Sequence, residues 1–220
     1  MRTVGILGGM GPEATVLLMH KVIAAVPARD DADHIPLIVH QNPAVPSRIR
    51  RLIEGAGDDP GPVLARMAED LQRAGAESLA MPCNTAHAYA PQIMAATTLP
   101  FLDMRAATVA ALPKGRIGML ASPAVRLSGA FDAAFDAAGL TPIWALDEGP
   151  ILGLIRSVKA GESGPDARTA MRKISDDMAA RSDHLLVACT ELSLLTGAVL
   201  HPYTDSLDCL VSAIVDFAQS

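Results

Sequence analysis

The 220-residue sequence has little aromatic material: one Trp, two Tyr and four Phe, 3% of the chain. That scarcity removes the stacking platforms on which single-stranded nucleic acids are held. The core must be built instead from Ala, Leu, Val, Ile and ten Met. Cysteine is scarce too, and three residues, an odd number, do not make the disulfide framework of a secreted domain. No apolar run approaches the ~18 residues that a membrane-spanning helix needs. The opening apolar stretch breaks at Gly8-Gly9-Met10-Gly11-Pro12-Glu13, which is not the pattern of a secretory leader. Charged residues are only 19% and the net charge is −6, a sign that phosphate backbones repel. The expectation is a cytoplasmic protein with neither nucleic-acid nor membrane partners.

Hydrophobic residues reach 50%, so a packed core is expected and wholesale disorder excluded. Short apolar runs alternate with helical patterns, the signature of βαβ units and a parallel sheet. Strands are expected at 3–7, 35–40, 78–81, 116–120, 142–146 and 184–188. Helices are expected at 12–26, 62–74, 123–138, 151–160, 166–181 and 205–219. Val4-Gly5-Ile6-Leu7 matches Ile117-Gly118-Met119-Leu120, and Cys83 and Cys189 each end an apolar strand in the same order. Two such matches at a nearly constant spacing indicate a duplicated α/β unit. The expected division places residues 1–100 and 205–220 in a first lobe carrying Cys83, and residues 101–204 in a second carrying Cys189.

Parallel sheets bind ligands at the carboxyl ends of their strands, where both cysteines fall. A Cys at the start of a helix also has its thiolate favoured by the dipole and the unpaired N–H groups. Cys209, inside the apolar pattern of the last helix, reads as core. One thiol per lobe, facing across a cleft, suits inversion at carbon: one group removes a proton and the other supplies one to the opposite face. One must then rest as thiolate and the other as thiol, since two thiolates at close range repel.

The segments Gly8-Gly9-Met10-Gly11-Pro12-Glu13-Ala14-Thr15, Cys83-Asn84-Thr85-Ala86-His87 and Cys189-Thr190-Glu191-Leu192 together resemble the aspartate/glutamate racemase family, the amino-acid racemases that work without pyridoxal phosphate. Asn42-Pro43-Ala44-Val45-Pro46-Ser47-Arg48 resembles the family's Asn-Pro-x-x-Pro-Asp-Arg, with Ser47 in place of Asp. The resemblance spans almost the whole chain. It implies two pseudo-symmetric flavodoxin-like lobes with parallel sheets, an active site between them, a homodimer, no cofactor, and Cys83 and Cys189 as the proton-transfer pair. A small acidic amino acid is the implied substrate. Its carboxylates need local cations, and Arg48 suits a bidentate grip. Lys159 falls where the family has a substrate-contacting lysine. Asn84, Thr85 and Thr190 would add polar groups at the strand ends, and Met10 would cover the site. The chain departs from the family at Ala124 and Val125, where a Gly-Thr pair is common, at Ala188 for Gly, and at Leu207 for Thr.

Other readings compete. Gly9 to Ala14 fits a relaxed dinucleotide-binding pattern, but Glu13 puts a negative charge where a pyrophosphate would sit and Pro12 removes an N–H. Cys83, His87 and Cys189 could form a zinc set, and no metal is expected. A cysteine hydrolase would leave Cys189 without a role. A maleate-type isomerase, a hydantoin racemase and a non-catalytic sensor of acidic ligands remain alternatives.

Overall fold

The computed structural model describes residues 1–220. The chain forms two four-stranded sheets, each entirely parallel. The first comprises β1 (Val4–Gly8), β2 (Leu37–Gln41), β3 (Ser78–Ala80) and β4 (Phe101–Leu102), in the spatial order β2-β1-β3-β4. The second comprises β5 (Arg116–Leu120), β6 (Thr141–Ile143), β7 (His184–Val187) and β8 (Tyr203–Asp205), in the order β6-β5-β7-β8. The two orders are the same, and both follow the doubly wound pattern in which the first strand is central.

Each sheet is buried on both faces, so its central strands are continuous apolar runs whose alternate residues serve different cores. On β1, Val4 and Ile6 join Leu18, Val22, Leu210 and Ile214. Leu7 joins Leu64, Met67 and Leu79 on the other face. The second sheet repeats this: Ile117 and Met119 pack with Phe135 and Leu186, while Leu120 packs with Ile155, Leu185 and Val187. Gly5 and Gly118, paired by the repeat, both sit where a Cβ would collide with a neighbour, at 2.9 Å from Ala76 Cβ and 2.5 Å from Ser182 Oγ.

The helices are α1 (Pro12–Ala25), α2 (Arg48–Leu52), α3 (Gly61–Arg73), α4 (Ala90–Ala95), α5 (Met104–Ala111), α6 (Pro123–Leu127), α7 (Asp132–Ala138), α8 (Gly149–Lys159), α9 (Pro165–Ala179) and α10 (Ser206–Gln219). The C-terminal helix α10 packs on α1 and α5 and fills the first lobe's outer core with Leu207, Leu210 and Ile214.

Three expectations need correction. The helix expected over 123–138 is two, α6 and α7, because the chain reverses at Gly129 with φ +60°. The strand expected over 142–146 ends at Ile143. Its Pro142 cannot donate to a ladder and is tolerated because β6 is an edge strand. Neither cysteine opens an α-helix. Each leads into a 3-10 turn, Thr85–Tyr89 or Leu192–Ala198, so no long helix dipole stands behind the sulfurs. The first sheet ends in Phe101–Leu102 as its edge strand.

Candidate active site between the lobes

The strand ends of the two sheets enclose a cavity of about 530 Å³. Cys83 lines it from the first lobe and Cys189 from the second, with 8% and 7% of their surfaces exposed. The cavity also receives Met10, Arg48, Thr85 and Lys159.

The glycine-rich turn after β1 forms one wall. Buried Thr15 braces it: its Oγ1 accepts the Gly9 N–H at 3.0 Å and donates to the Gly11 carbonyl at 3.3 Å. Pro12 occupies the first turn of α1, where its missing N–H costs nothing. Asn42 closes the next turn by accepting the Ala44 N–H at 3.0 Å. Ser47 then caps α2, accepting the Arg50 N–H at 3.3 Å, so the replacement of the family's Asp keeps the cap. Arg48 opens that helix. Its Nη1 donates to the Pro46 carbonyl at 2.9 Å, and its buried Nε has no partner.

Behind Cys83, His87 is fully buried. Its Nδ1 lies 2.8 Å from the Cys83 carbonyl and its Nε2 is 3.2 Å from the Met104 amide N. The amide can only donate and the carbonyl only accept, so Nδ1 carries the proton and the ring is neutral. Burial drives its pKa down to about 4, against a pull upward from Asp103. With both nitrogens engaged, His87 is not free to ligate a metal.

The surroundings of Cys189 are different. Its thiol donates to Glu191 Oε2 at 3.1 Å, and Glu191 Oε1 is ion-paired with Lys159. Burial first, and the Glu191 carboxylate second, hold the Cys189 pKa well above the ordinary thiol value, with Lys159 opposing. Burial also works against the charge on Lys159, but Glu191 and then the two cysteines raise its pKa nonetheless. Lys159 and both thiols line the same cavity.

Two expected site residues lie elsewhere. Asn84 is outside the cavity wall: its Nδ2 donates to Ser206 Oγ at 2.8 Å and its Oδ1 is buried without a partner. The Thr190 hydroxyl donates to the Pro82 carbonyl at 3.1 Å, tying the loop after β7 to the loop that carries Cys83. Sequence reasoning passed over Glu191 and Glu13, both in the wall. A carboxylate two residues after a strand-end cysteine was the available signal for Glu191.

Twin parallel α/β lobes with a thiol from each lining the cleft define a class of protein in which the site is built by both halves of a repeat. Residues 7–214 match the family described as Asp/Glu/Hydantoin racemase. The chain belongs to that family, whose members are isomerases. It is 25% identical over 225 residues to the "Broad specificity amino-acid racemase RacX" of Bacillus subtilis, covering 96% of each chain. Among solved structures it resembles Picrophilus torridus aspartate racemase, with a TM-score of 0.90 and 26% identity over 100% of this chain and 95% of the other. The fold is shared with glutamate racemase from Francisella tularensis, at a TM-score of 0.69 and 15% identity over 98% of this chain and 80% of the other. No helix is long and apolar enough to cross a membrane.

Proposed function

We propose that the protein racemises an acidic amino acid, aspartate or glutamate, without a cofactor. In this reading one of Cys83 and Cys189 takes the proton from Cα while the other delivers a proton to the opposite face. The observation that carries it is the shared cavity: two similarly buried thiols, one from each lobe, line a single space large enough for an amino acid. Two groups of the same chemical kind can each serve as acid or base in turn, as a reversible inversion needs.

Arg48 supports the substrate assignment, because its buried Nε lacks an acceptor that a carboxylate would supply. Lys159 is the second cation; it is paired with Glu191, so a substrate carboxylate would share it. Thr85 and Met10 complete the wall around the bound molecule. Asn84 and Thr190, through Ser206 and the Pro82 carbonyl, would hold the loops that present the thiols. The Cα carbanion has no cofactor to delocalise it, so stabilisation must come from these cations and from N–H groups aimed in advance into a cleft poor in water. A soluble cytoplasmic homodimer with residues 1–100 and 205–220 forming one lobe is part of the same reading.

Incubation in D2O with L-aspartate or L-glutamate, followed by chiral separation and mass analysis, tests it. Deuterium at Cα of the D-enantiomer is the expected result. A panel including neutral and basic amino acids and a hydantoin extends the assay. Exchange confined to those compounds overturns the acidic substrate, and exchange with none of them overturns racemisation.

A further inference from the structure

The pseudo-symmetry that supplies two thiols does not extend to what surrounds them. We propose that Glu191 is a positioning residue that makes Cys189 the resting proton donor of the pair, leaving Cys83 as the resting base. This deepens the two-thiol reading and rests on it.

The geometry carries the assignment. The Cys189 S–H is directed at Glu191 Oε2 at 3.1 Å, and the other carboxylate oxygen is held by Lys159. A carboxylate can only accept, so this hydrogen bond exists only while Cys189 is protonated. Lys159 engages the other oxygen and leaves Oε2 to accept from the thiol. At Cys83 the equivalent polar partner, His87, engages the backbone carbonyl rather than the sulfur, and that ring is neutral.

The other charged groups facing this cluster are few. Lys159 comes from α8, Glu13 from the first turn of α1, Arg48 from α2, and Cys83 from the opposite lobe. Lys159 favours the Cys189 thiolate, while Cys83, like Glu191, favours its thiol. Gly11 brings the first lobe's turn against the cluster, with its Cβ direction ending 3.3 Å from Glu191 Oε1. The carboxylate is thereby confined between the lobes.

The proton balance is simple. In one half-turnover the Cys83 thiolate gains the Cα proton and the Cys189 thiol loses its own to the opposite face of the carbanion. The enzyme is left with a Cys83 thiol and a Cys189 thiolate beside the Glu191 carboxylate. Return to rest moves one proton from Cys83 through solvent to Cys189, and Glu191 is not a party to the transfer.

The test is alkylation of the full-length protein by iodoacetamide at low conversion from pH 5.5 to 10, with each cysteine followed by peptide mass spectrometry. In the wild type the Cys189 midpoint is expected above that of Cys83. In Glu191→Gln, the Cys189 midpoint should fall by about one unit or more while that of Cys83 moves far less, because a neutral amide no longer penalises the thiolate. Glu191→Asp keeps the charge but withdraws it by one methylene, and a smaller fall is expected. A wild-type order with Cys189 below Cys83 overturns the proposal whether or not the variants fold. So does an unchanged Cys189 midpoint in a folded Glu191→Gln or Glu191→Asp protein. These curves need no turnover. Absence of deuterium exchange with the thiol order intact overturns only the racemase reading, and exchange with the order reversed overturns only this assignment.

Discussion

Behind Cys83 stands a neutral histidine, and in front of Cys189 stands a charged pair. The two sulfurs occupy equivalent strand ends, are buried to nearly the same degree and line one cavity. His87 nonetheless works through the main chain, bolting the Cys83 carbonyl to the first amide of α5. Glu191 works through the side chain, touching the sulfur itself. A duplicated scaffold thus places two identical nucleophilic atoms symmetrically, while the residues next to them divide structural support from electrostatics.

The largest expected effect treats the thiols as equals. Cys83→Ser and Cys189→Ser should each lower the rate of inversion by roughly 10²–10⁴-fold, since an alcohol is a far weaker acid than a thiol and supplies almost none of its anion near neutral pH. Chiral chromatography of timed reactions measures it, with circular dichroism to confirm the fold. A variant that keeps near wild-type turnover would break the symmetry entirely.

The next effect is on stability against pH and contrasts a buried group behind the Cys83 loop with one at the end of β8. The His87 pKa is about 4 when folded, against 6.5 ordinarily, so the unfolded chain binds more protons between those values. Stability from His87 is therefore lost as pH falls from 6.5 toward 4. Asp205, at the end of β8, is raised to about 6 from 3.8, chiefly by burial. There the folded state binds more protons, and stability is lost as pH rises from 3.8 to 6. The slopes oppose each other where the windows overlap. Urea denaturation between pH 4 and 6.5 should show stability falling on acidification more steeply in Asp205→Asn than in wild type. In His87→Gln it should instead fall as pH rises. Identical slopes in all three proteins would show that neither group is buried as described.

The smallest effect probes the contact between the lobes. Gly11 has φ −92° and ψ 168°, a conformation open to any residue, so Gly11→Ala should alter stability by less than ~1 kcal/mol. Its new methyl group would press on Glu191 Oε1 and approach Lys159 Nζ at 3.9 Å. A KM several-fold higher, with urea stability unchanged, is expected from steady-state kinetics. An unchanged KM would mean that the Glu191–Lys159 pair does not border the bound substrate.

Much of this architecture was legible in the order of residues. Apolar runs at strand length, proline at helix starts and glycine at helix ends located most of both sheets, because those signals arise from local backbone geometry. The elements that were missed, β4, β8, α2, α4 and α5, have two to eight residues. They are too short for periodicity to register and are held by pairing and packing with distant segments. The same limit applied at the site. Local pattern located Cys83 and Cys189 at strand ends, and the family resemblance singled out Arg48 and Lys159, but neither gave a means of seeing that Asn84 turns toward Ser206 or that Thr190 reaches Pro82.

By itself the sequence determined the repeat, the parallel α/β class and the position of one cysteine at the end of a central strand in each half. All of these follow from residue spacing, which acts over a few neighbours. Only the tertiary structure decided which partner each sulfur meets. The ion pair joins residues 159 and 191 and the histidine bridges 83 to 104. Such contacts exist only once helices from separate parts of the chain have packed against their sheets and excluded the water that would otherwise screen them.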